Sequence, residues 1–455
     1  MNKNILHIIF LVISFQSFVL KAQDTTLQNI DAQTYKLYTE KNWKELIKFS
    51  KQAIDSNIDF YYLRMRLGIA YYEQHRYSLA NKHFKKAKEF YNNNIVDEYL
   101  YYSYFFGGNF AEAEKLSNNF TDSLKNKLQL EKIKTISSFN LIYAGLINSD
   151  YDKLKEIKTN KPYTSVFNRF RDKYNQYFGA SIGLHYNPNF SSILSFGYLY
   201  QPKTQVIQNI VSDSSMYNST KQSNAYISLI YNSLNIDWYL AYNFINIVDD
   251  YNNIVEEEIK EKHIKYNDML IAGGIKYNQP YYSIMASTSF SNLNSHQQFQ
   301  LSPSIYLYPK ANKNIVFFVE PTYQYITDKN NKKKHKQSND TTSFSENNFI
   351  FKIGLQAKIY KSLFGEIDYY NGKIYEFNEL GGSIVYNDVD KINELYKLKL
   401  RYQITKKLSV FVSYTYGTKN HIYYISEKKL SDIITNSKEI KITNQNIVGG
   451  VKWVF

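Results

Sequence analysis

Chemistry in this chain would have to come from few residues. Its histidines are His7, His75, His83, His185, His263, His296, His335 and His421. No two stand four positions apart and no HExxH run occurs, so the spacing that aims two imidazoles at one zinc ion is missing. Cysteine is absent, which excludes disulfides, thiolate metal ligands, cysteine nucleophiles and a lipid anchor on cysteine. Asp249, Asp250, Glu256, Glu257 and Glu258 form an acidic run, with Lys260 and Lys262 close behind. Calcium needs convergent oxygens rather than a run, so these residues read as a solvated loop. Lys332, Lys333, Lys334 and Lys336 read as an exposed basic loop tip, with contact to anionic lipid phosphates as the alternative. Walker, dinucleotide and GxSxG motifs do not occur. His421 near Ser426 is the one pair a membrane-face hydrolase could use. The expectation is no metal, no cofactor and no enzymatic activity.

The residues must be positioned by elements, and composition narrows these. The chain has 455 residues, enough for two or three domains. Mean hydropathy is −0.47, too low for a bundle of spanning helices, each of which needs about 20 mostly apolar residues. Aromatics make up 17% of the chain, which argues against wholesale disorder. The net charge of +14 is nearly all lysine, because arginine occurs only at Arg64, Arg66, Arg76, Arg169, Arg171 and Arg401. No basic stripe that could track phosphates stands out, so nucleic acid is not an expected partner.

Met1–Ala22 reads as a secretory leader. Lys3 supplies the positive start, and Ile5–Leu20 is apolar but interrupted by His7, Ser14, Gln16 and Ser17. An N-terminal membrane anchor is the alternative. Residues 23–160 then show helical periodicity. In the clearest unit, Leu67, Gly68 and Tyr71 lie on a first helix and Tyr77, Ala80, Phe84 and Ala87 on a second. Trp43 precedes Tyr77 by 34 positions, and Phe110 follows it by 33. This pattern resembles the tetratricopeptide repeat, in which small residues let two antiparallel helices approach and stacked units build the core. The resemblance implies a concave groove, onto which Tyr62, Met65, Ile69 and Tyr72 would project. Packing between repeats is the other reading of those four side chains. Two closing helices are expected near Glu131–Asn148 and Tyr151–Lys158. Lys82, Lys85, Lys86 and Lys88 read as a solvated helix face.

Residues 161–455 change to period two. Phe349, Phe351, Ile353, Leu355, Ala357 and Ile359 alternate with Lys352, Gly354, Gln356 and Lys358. Segments of about ten such residues, separated by polar turns, are the signature of a transmembrane β-barrel, whose outer face meets lipid and whose inner face meets water. About fourteen strands are expected, with twelve or sixteen open. Turn lengths give opposite directions to the first ten and last four strand candidates. That conflict marks the candidate at 380–386 as suspect and suggests a missing strand before 176, near Val166–Phe170. A three-residue turn at Lys361–Leu363 would set Lys358 opposite Glu366 and Gln356 opposite Asp368. With Lys352, Lys399 and Arg401, these would form a charged ladder lining the lumen, either setting pore polarity or neutralising an occluded interior. Trp453 and Phe455 close the strand NIVGGVKWVF, which resembles the terminal strand read by barrel-insertion machinery.

The fold class is therefore multidomain: all-α tetratricopeptide-like repeats followed by an antiparallel transmembrane β-barrel. A periplasmic repeat domain ahead of such a barrel resembles, in architecture, outer-membrane exporters of polysaccharides such as cellulose and poly-N-acetylglucosamine. That resemblance implies a cell outer-membrane location, outer-membrane lipid as a partner, and a periplasmic protein or polymer guided toward a pore. A non-conducting scaffold anchored by its barrel is the alternative, and a barrel enzyme is a third reading.

Overall fold

The computed structural model describes residues 26–131, 133–148, 150, 164–172, 174–208, 213–255, 258–328, 345–387, 390–429 and 432–455. The expected leader and the basic tip at Lys332–Lys336 lie outside these residues. The chain divides after Gln129 into two compact units.

The first unit holds seven helices among the described residues. They are α1 (Leu27–Thr39), α2 (Trp43–Asp55), α3 (Tyr61–Glu73), α4 (Tyr77–Phe90), α5 (Asn94–Phe106), α6 (Phe110–Asn118) and α7 (Asp122–Leu128). The starts of α1, α3 and α5 are 34 and 33 residues apart, and the starts of α2, α4 and α6 keep the same intervals. Three helical hairpins thus follow the sequence period, each second helix opening on Trp43, Tyr77 or Phe110. Side-chain caps fix several starts. Thr26 and Asn42 accept from the third residue on, and Asn93 accepts from Ile95 and Val96 at 2.9 and 3.0 Å. Gly68 explains how α3 and α4 come so close. A Cβ there would sit 2.5 Å from the ring of Phe84, a buried side chain stacked on Tyr99.

The second unit is a closed barrel. Its fourteen staves are β1 (Ile136–Asn148), β3 (Tyr174–His185), β4 (Phe190–Gln208), β5 (Asp213–Tyr231), β6 (Ile236–Val255), β7 (Glu258–Asn278), β8 (Tyr282–Ser291), β9 (His296–Leu307), β10 (Ile315–Asp328), β11 (Ser345–Tyr360), β12 (Leu363–Ile374), β15 (Lys391–Gln403), β16 (Leu408–Lys429) and β17 (Asp432–Val454). Neighbours are antiparallel, and β1 closes the ring by pairing with β17 on one side and β3 on the other. Two further pieces are not staves. β2 (Thr164–Asp172) bridges the far ends of β16 and β4, and β13 (Phe377–Glu379) pairs only with β14 (Ile384–Tyr386).

Alternation decides which face meets what. Along β9, Gln298, Gln300, Ser302 and Ser304 are buried while Leu301, Ile305 and Leu307 are exposed. On β11, Phe349 is 74% exposed and Ile350 beside it 2%. The same holds for Leu240, Ile271, Ile275, Ile367 and Ile447, which stand outward on four other staves. An exposed apolar face around a closed cylinder has hydrocarbon as its solvent, so this is a transmembrane barrel. Phe190, Tyr231 and Trp238 cluster beside the short turns, with ring centroids 5.0–5.9 Å apart, as in an aromatic girdle.

Three expectations need correction. The helical region ends at Leu128 rather than near residue 160, and the helix expected over Glu131–Asn148 is instead stave β1. The consecutive apolar residues Leu141–Ile142 and Leu146–Ile147 hid its period of two. The second expected helix, 151–158, lies outside the described residues. The candidate at 380–386 is no stave, and β2, which contains Val166–Phe170, is an extra piece rather than the missing one. With β1 added and 380–386 removed, the turns after β3, β5, β7, β11 and β15 all fall at one end, which resolves the conflict in strand direction.

Candidate functional site

The segment between β12 and β15 carries the site. Instead of forming an outer loop, it folds into the lumen as a hairpin, β13 and β14 joined by a single 3-10 turn at Leu380–Gly382. Its tip needs unusual backbone: Gly381 and Gly382 have φ of +66° and +82°, and a Cβ at Gly382 would lie 2.1 Å from Leu270 on the far wall. The pair of glycines therefore serves both the turn and the close approach.

Side chains of the wall hold this hairpin on three sides. On the β11–β15 side, Glu379 accepts from Lys352 at 2.9 Å and from Lys397 at 3.3 Å. The same carboxylate also takes the hydroxyls of Tyr370 and, at 2.9 Å, of Tyr386. On the β8–β9 side, Asn378 donates to Ser289 at 2.8 Å and to Gln300 at 3.0 Å, and Gln300 donates to the Asn378 carbonyl at 2.9 Å. Glu376 meets His296 at 2.8 Å and accepts from Gln298 at 2.6 Å. On β6, Asn243 donates to the Gly382 carbonyl at 2.8 Å. The contacts reach the middle of staves β6, β9 and β11, so the hairpin crosses the lumen part-way along its length. Phe377 packs beneath it with Ile350, Tyr370, Ile374 and Leu395. Leu380, at the tip, stays 70% exposed.

The six lumen candidates all lie on inward positions of β11, β12 and β15. Lys352 and Asp368 are buried, Glu366 and Lys399 half-buried, and Lys358 and Arg401 exposed. The expected register is wrong by two residues. Gln356 faces Glu366, and Lys358 faces Phe364, because the turn at Lys361–Ser362 is shorter than expected and an irregularity precedes Tyr360. Gln356 donates to Glu366 at 3.2 Å, and Arg401 lies over the Phe364 ring at 4.5 Å. Trp453 and Phe455 are exposed on the same outer face as Ile447 and Val451.

In the helical unit, Leu67, Gly68, Tyr71, Ala80, Phe84 and Ala87 are buried, as packing residues would be, and Tyr77 is half-buried. The proposed groove residues divide. Tyr62 is 60% exposed, but Met65 and Ile69 are core at 5% and 8%, so neither can touch a ligand. Tyr72 is half-buried among Tyr77, Tyr99 and Phe106. Beside them, Asp59 grips Arg64 through both oxygens at 2.6 Å, and Arg64 donates to Nδ1 of His83 at 3.1 Å. Burial, and then the Arg64 charge, push the His83 imidazole down to about 3.

Other candidate chemistry is dispersed or neutralised. Asp250 is bound by His263 at 2.7 Å and Lys221 at 3.0 Å, and Asp249 accepts from Thr220, while Glu256 and Glu257 lie outside the described residues. His421 is buried against Asp390 at 3.0 Å, and its expected partner Ser426 sits on a β16 segment whose side chains are not described. Among the described residues, no cluster of three His, Asp or Glu could hold a metal.

The molecule is thus a closed antiparallel barrel preceded by helical hairpins. No family model matches the chain, and no curated protein matches it. Solved structures similar to it include a transporter and an outer-membrane protein. The toluene transporter TodX of Pseudomonas putida aligns with a TM-score of 0.41 at 8% identity, over 71% of this chain and 91% of its own. A FadL homologue of Pseudomonas aeruginosa gives 0.40 at 8% identity, over 70% and 90%. The outer-membrane protein Omp33 of Acinetobacter baumannii gives 0.32 at 8% identity, over 70% and 99%. At such identities the likeness is one of fold.

What sequence reasoning missed is the hairpin. Glu376, Asn378 and Glu379 fall in the turn expected ahead of the 380–386 candidate, and Tyr386 falls within that candidate. The signals were present: two adjacent glycines after Leu380, two glutamates in an otherwise barrel-like region, and the broken direction of the strands.

Proposed function

We propose that this chain is an outer-membrane channel for a polar passenger, shut at rest by its own hairpin. Its helical-hairpin unit, read as a short tetratricopeptide-like stack, stands in the periplasm and docks a protein or polymer partner there. The observation that carries the reading is a lumen lined by Ser289, Gln298, Gln300, Ser302, Thr322 and Gln324, crossed by a segment held through side-chain contacts alone. An amide- and hydroxyl-lined wall suits hydrated solutes, and a crossing segment outside the barrel's own hydrogen-bond ladder can leave without breaking a stave. Short turns conventionally face the periplasm, and β1 begins at the end of the barrel that carries the turns after β3, β5, β7, β11 and β15.

Planar-bilayer recording tests this. Wild type should show rare or no openings, and a variant with residues 376–386 replaced by a short Gly-Ser linker should show large, stable conductance steps. If that variant is folded and equally silent, the second reading prevails: a membrane anchor for the helical unit. The density of hydrogen bonds around Asn378 and Glu376 favours that second reading.

A further inference from the structure

The cluster at the foot of the hairpin is short of positive charge. Lys352 lies within electrostatic reach of Glu379, Glu320 and Asp368, and Lys397 completes the group. That is three carboxylates for two ammoniums. Glu366 does not enter the count, because it faces Lys399 on the next rung. The surrounding hydroxyls of Tyr306, Tyr370 and Tyr386 bring no charge.

Asp368 is the member left over. It is 1% exposed, and neither carboxylate oxygen has a hydrogen-bond partner. Yet Lys397 stands directly opposite it across β12 and β15. The ammonium of Lys397 reaches past Asp368 to Glu379, the hairpin's residue. An unpaired charge buried in this way is costly, and a proton on the cluster removes the cost.

The balance reverses when the hairpin leaves. The wall then keeps Lys352 and Lys397 against Glu320 and Asp368, two charges of each sign, and Lys397 has its cross-strand partner. We propose that this cluster is a proton-binding latch: the inserted hairpin holds one proton more than the released one, so acid shuts the lumen and rising pH frees it. This rests on the channel reading only for its consequence in current, since the movement itself needs no conductance. The other hairpin carboxylate, Glu376, is buried 2.8 Å from His296.

The linkage bounds the effect. One extra proton gives at most a tenfold shift in the open-to-shut ratio per pH unit. Because the chain is free of cysteine, spin labels can be placed at Leu380→Cys on the hairpin tip and Lys406→Cys on a short turn. In the full chain in detergent, the distance distribution should be single at pH 5. A second population should grow by up to tenfold per unit toward pH 9. Asp368→Asn balances the inserted cluster without a proton and should stay shut at every pH. Glu379→Gln removes the latch and should be open without pH dependence, which keeps the test informative if one variant fails to fold. A pH-independent distribution in wild type, or an Asp368→Asn that opens, overturns the latch. A moving hairpin with silent bilayers leaves the latch standing and overturns the channel reading.

Discussion

Acid should destabilise the helical unit through one residue, His83. Its ring is stacked on Tyr71 with centroids 5.4 Å apart, and its Nδ1 accepts from Arg64, whose other donors are committed to Asp59. A proton on Nδ1 would break that bond and set two cations together. The imidazole therefore stays neutral when folded, pushed down to about 3, against an unfolded value of about 6.5. Because the folded value is the lower one, the unfolded chain binds the proton first. Stability is fully present above pH 6.5 and falls as pH drops toward 3. Between pH 7.5 and pH 5 the difference integrates to about 2 kcal/mol. For a unit of this size that is a fall in Tm of about 8–16 °C. Melting of the full chain in detergent, followed at 222 nm where the helices dominate, reads it directly. His83→Gln keeps an acceptor for Arg64 but cannot titrate, so the same pH step should cost it several degrees less than wild type. Parallel losses in the two proteins, within about 2 °C, would refute the reasoning and move the acid sensitivity to the carboxylates.

Three further outcomes follow from packing and register. Gly68→Ala should lower the melting temperature of the helical unit, since an overpacked core costs about 1–3 kcal/mol and exceeds the gain in helix propensity. Phe84→Leu in the same chain should make the second loss smaller than additive, and simple additivity in thermal melts would show that the ring is not the obstacle. Leu240→Lys, on the outer face, should destabilise the folded barrel by about 2–4 kcal/mol in reversible folding into bilayers, and no loss would place that face away from hydrocarbon. Trp453→Ala with Phe455→Ala should reduce the amount of heat-modifiable barrel recovered from membranes while leaving the stability of assembled molecules nearly unchanged.

The parts legible in the sequence were those with a long, unbroken period. The interval from Trp43 to Tyr77 to Phe110 marks the start of every second helix, and Phe349–Ile359 reveals an outer face without any structure. Local pattern failed where both faces carry apolar side chains, as at Leu141–Leu146, because period two then has no contrast. It failed again at residues 376–386, where the hairpin is apolar on one side and hydrogen-bonded on the other for reasons of the lumen rather than the bilayer. The register of β11 on β12 depended on a single residue in the turn at Lys361, which no alternation can fix. Burial of Met65 and Ile69 depended on which helix lies next to α3, information that a helical face does not contain.

The seam between β1 and β17 has a consequence for biogenesis. The first and last staves of the cylinder are neighbours in space but some 300 residues apart along the chain, with Phe139 beside Trp453 and Asn148 beside Asn444. Every other stave can zip onto a neighbour already made. This one joint must wait for the whole ribbon, so until it forms the sheet has two raw margins that invite pairing with other chains. A fault anywhere along the ribbon that prevents this joint would leave an unsealed cylinder.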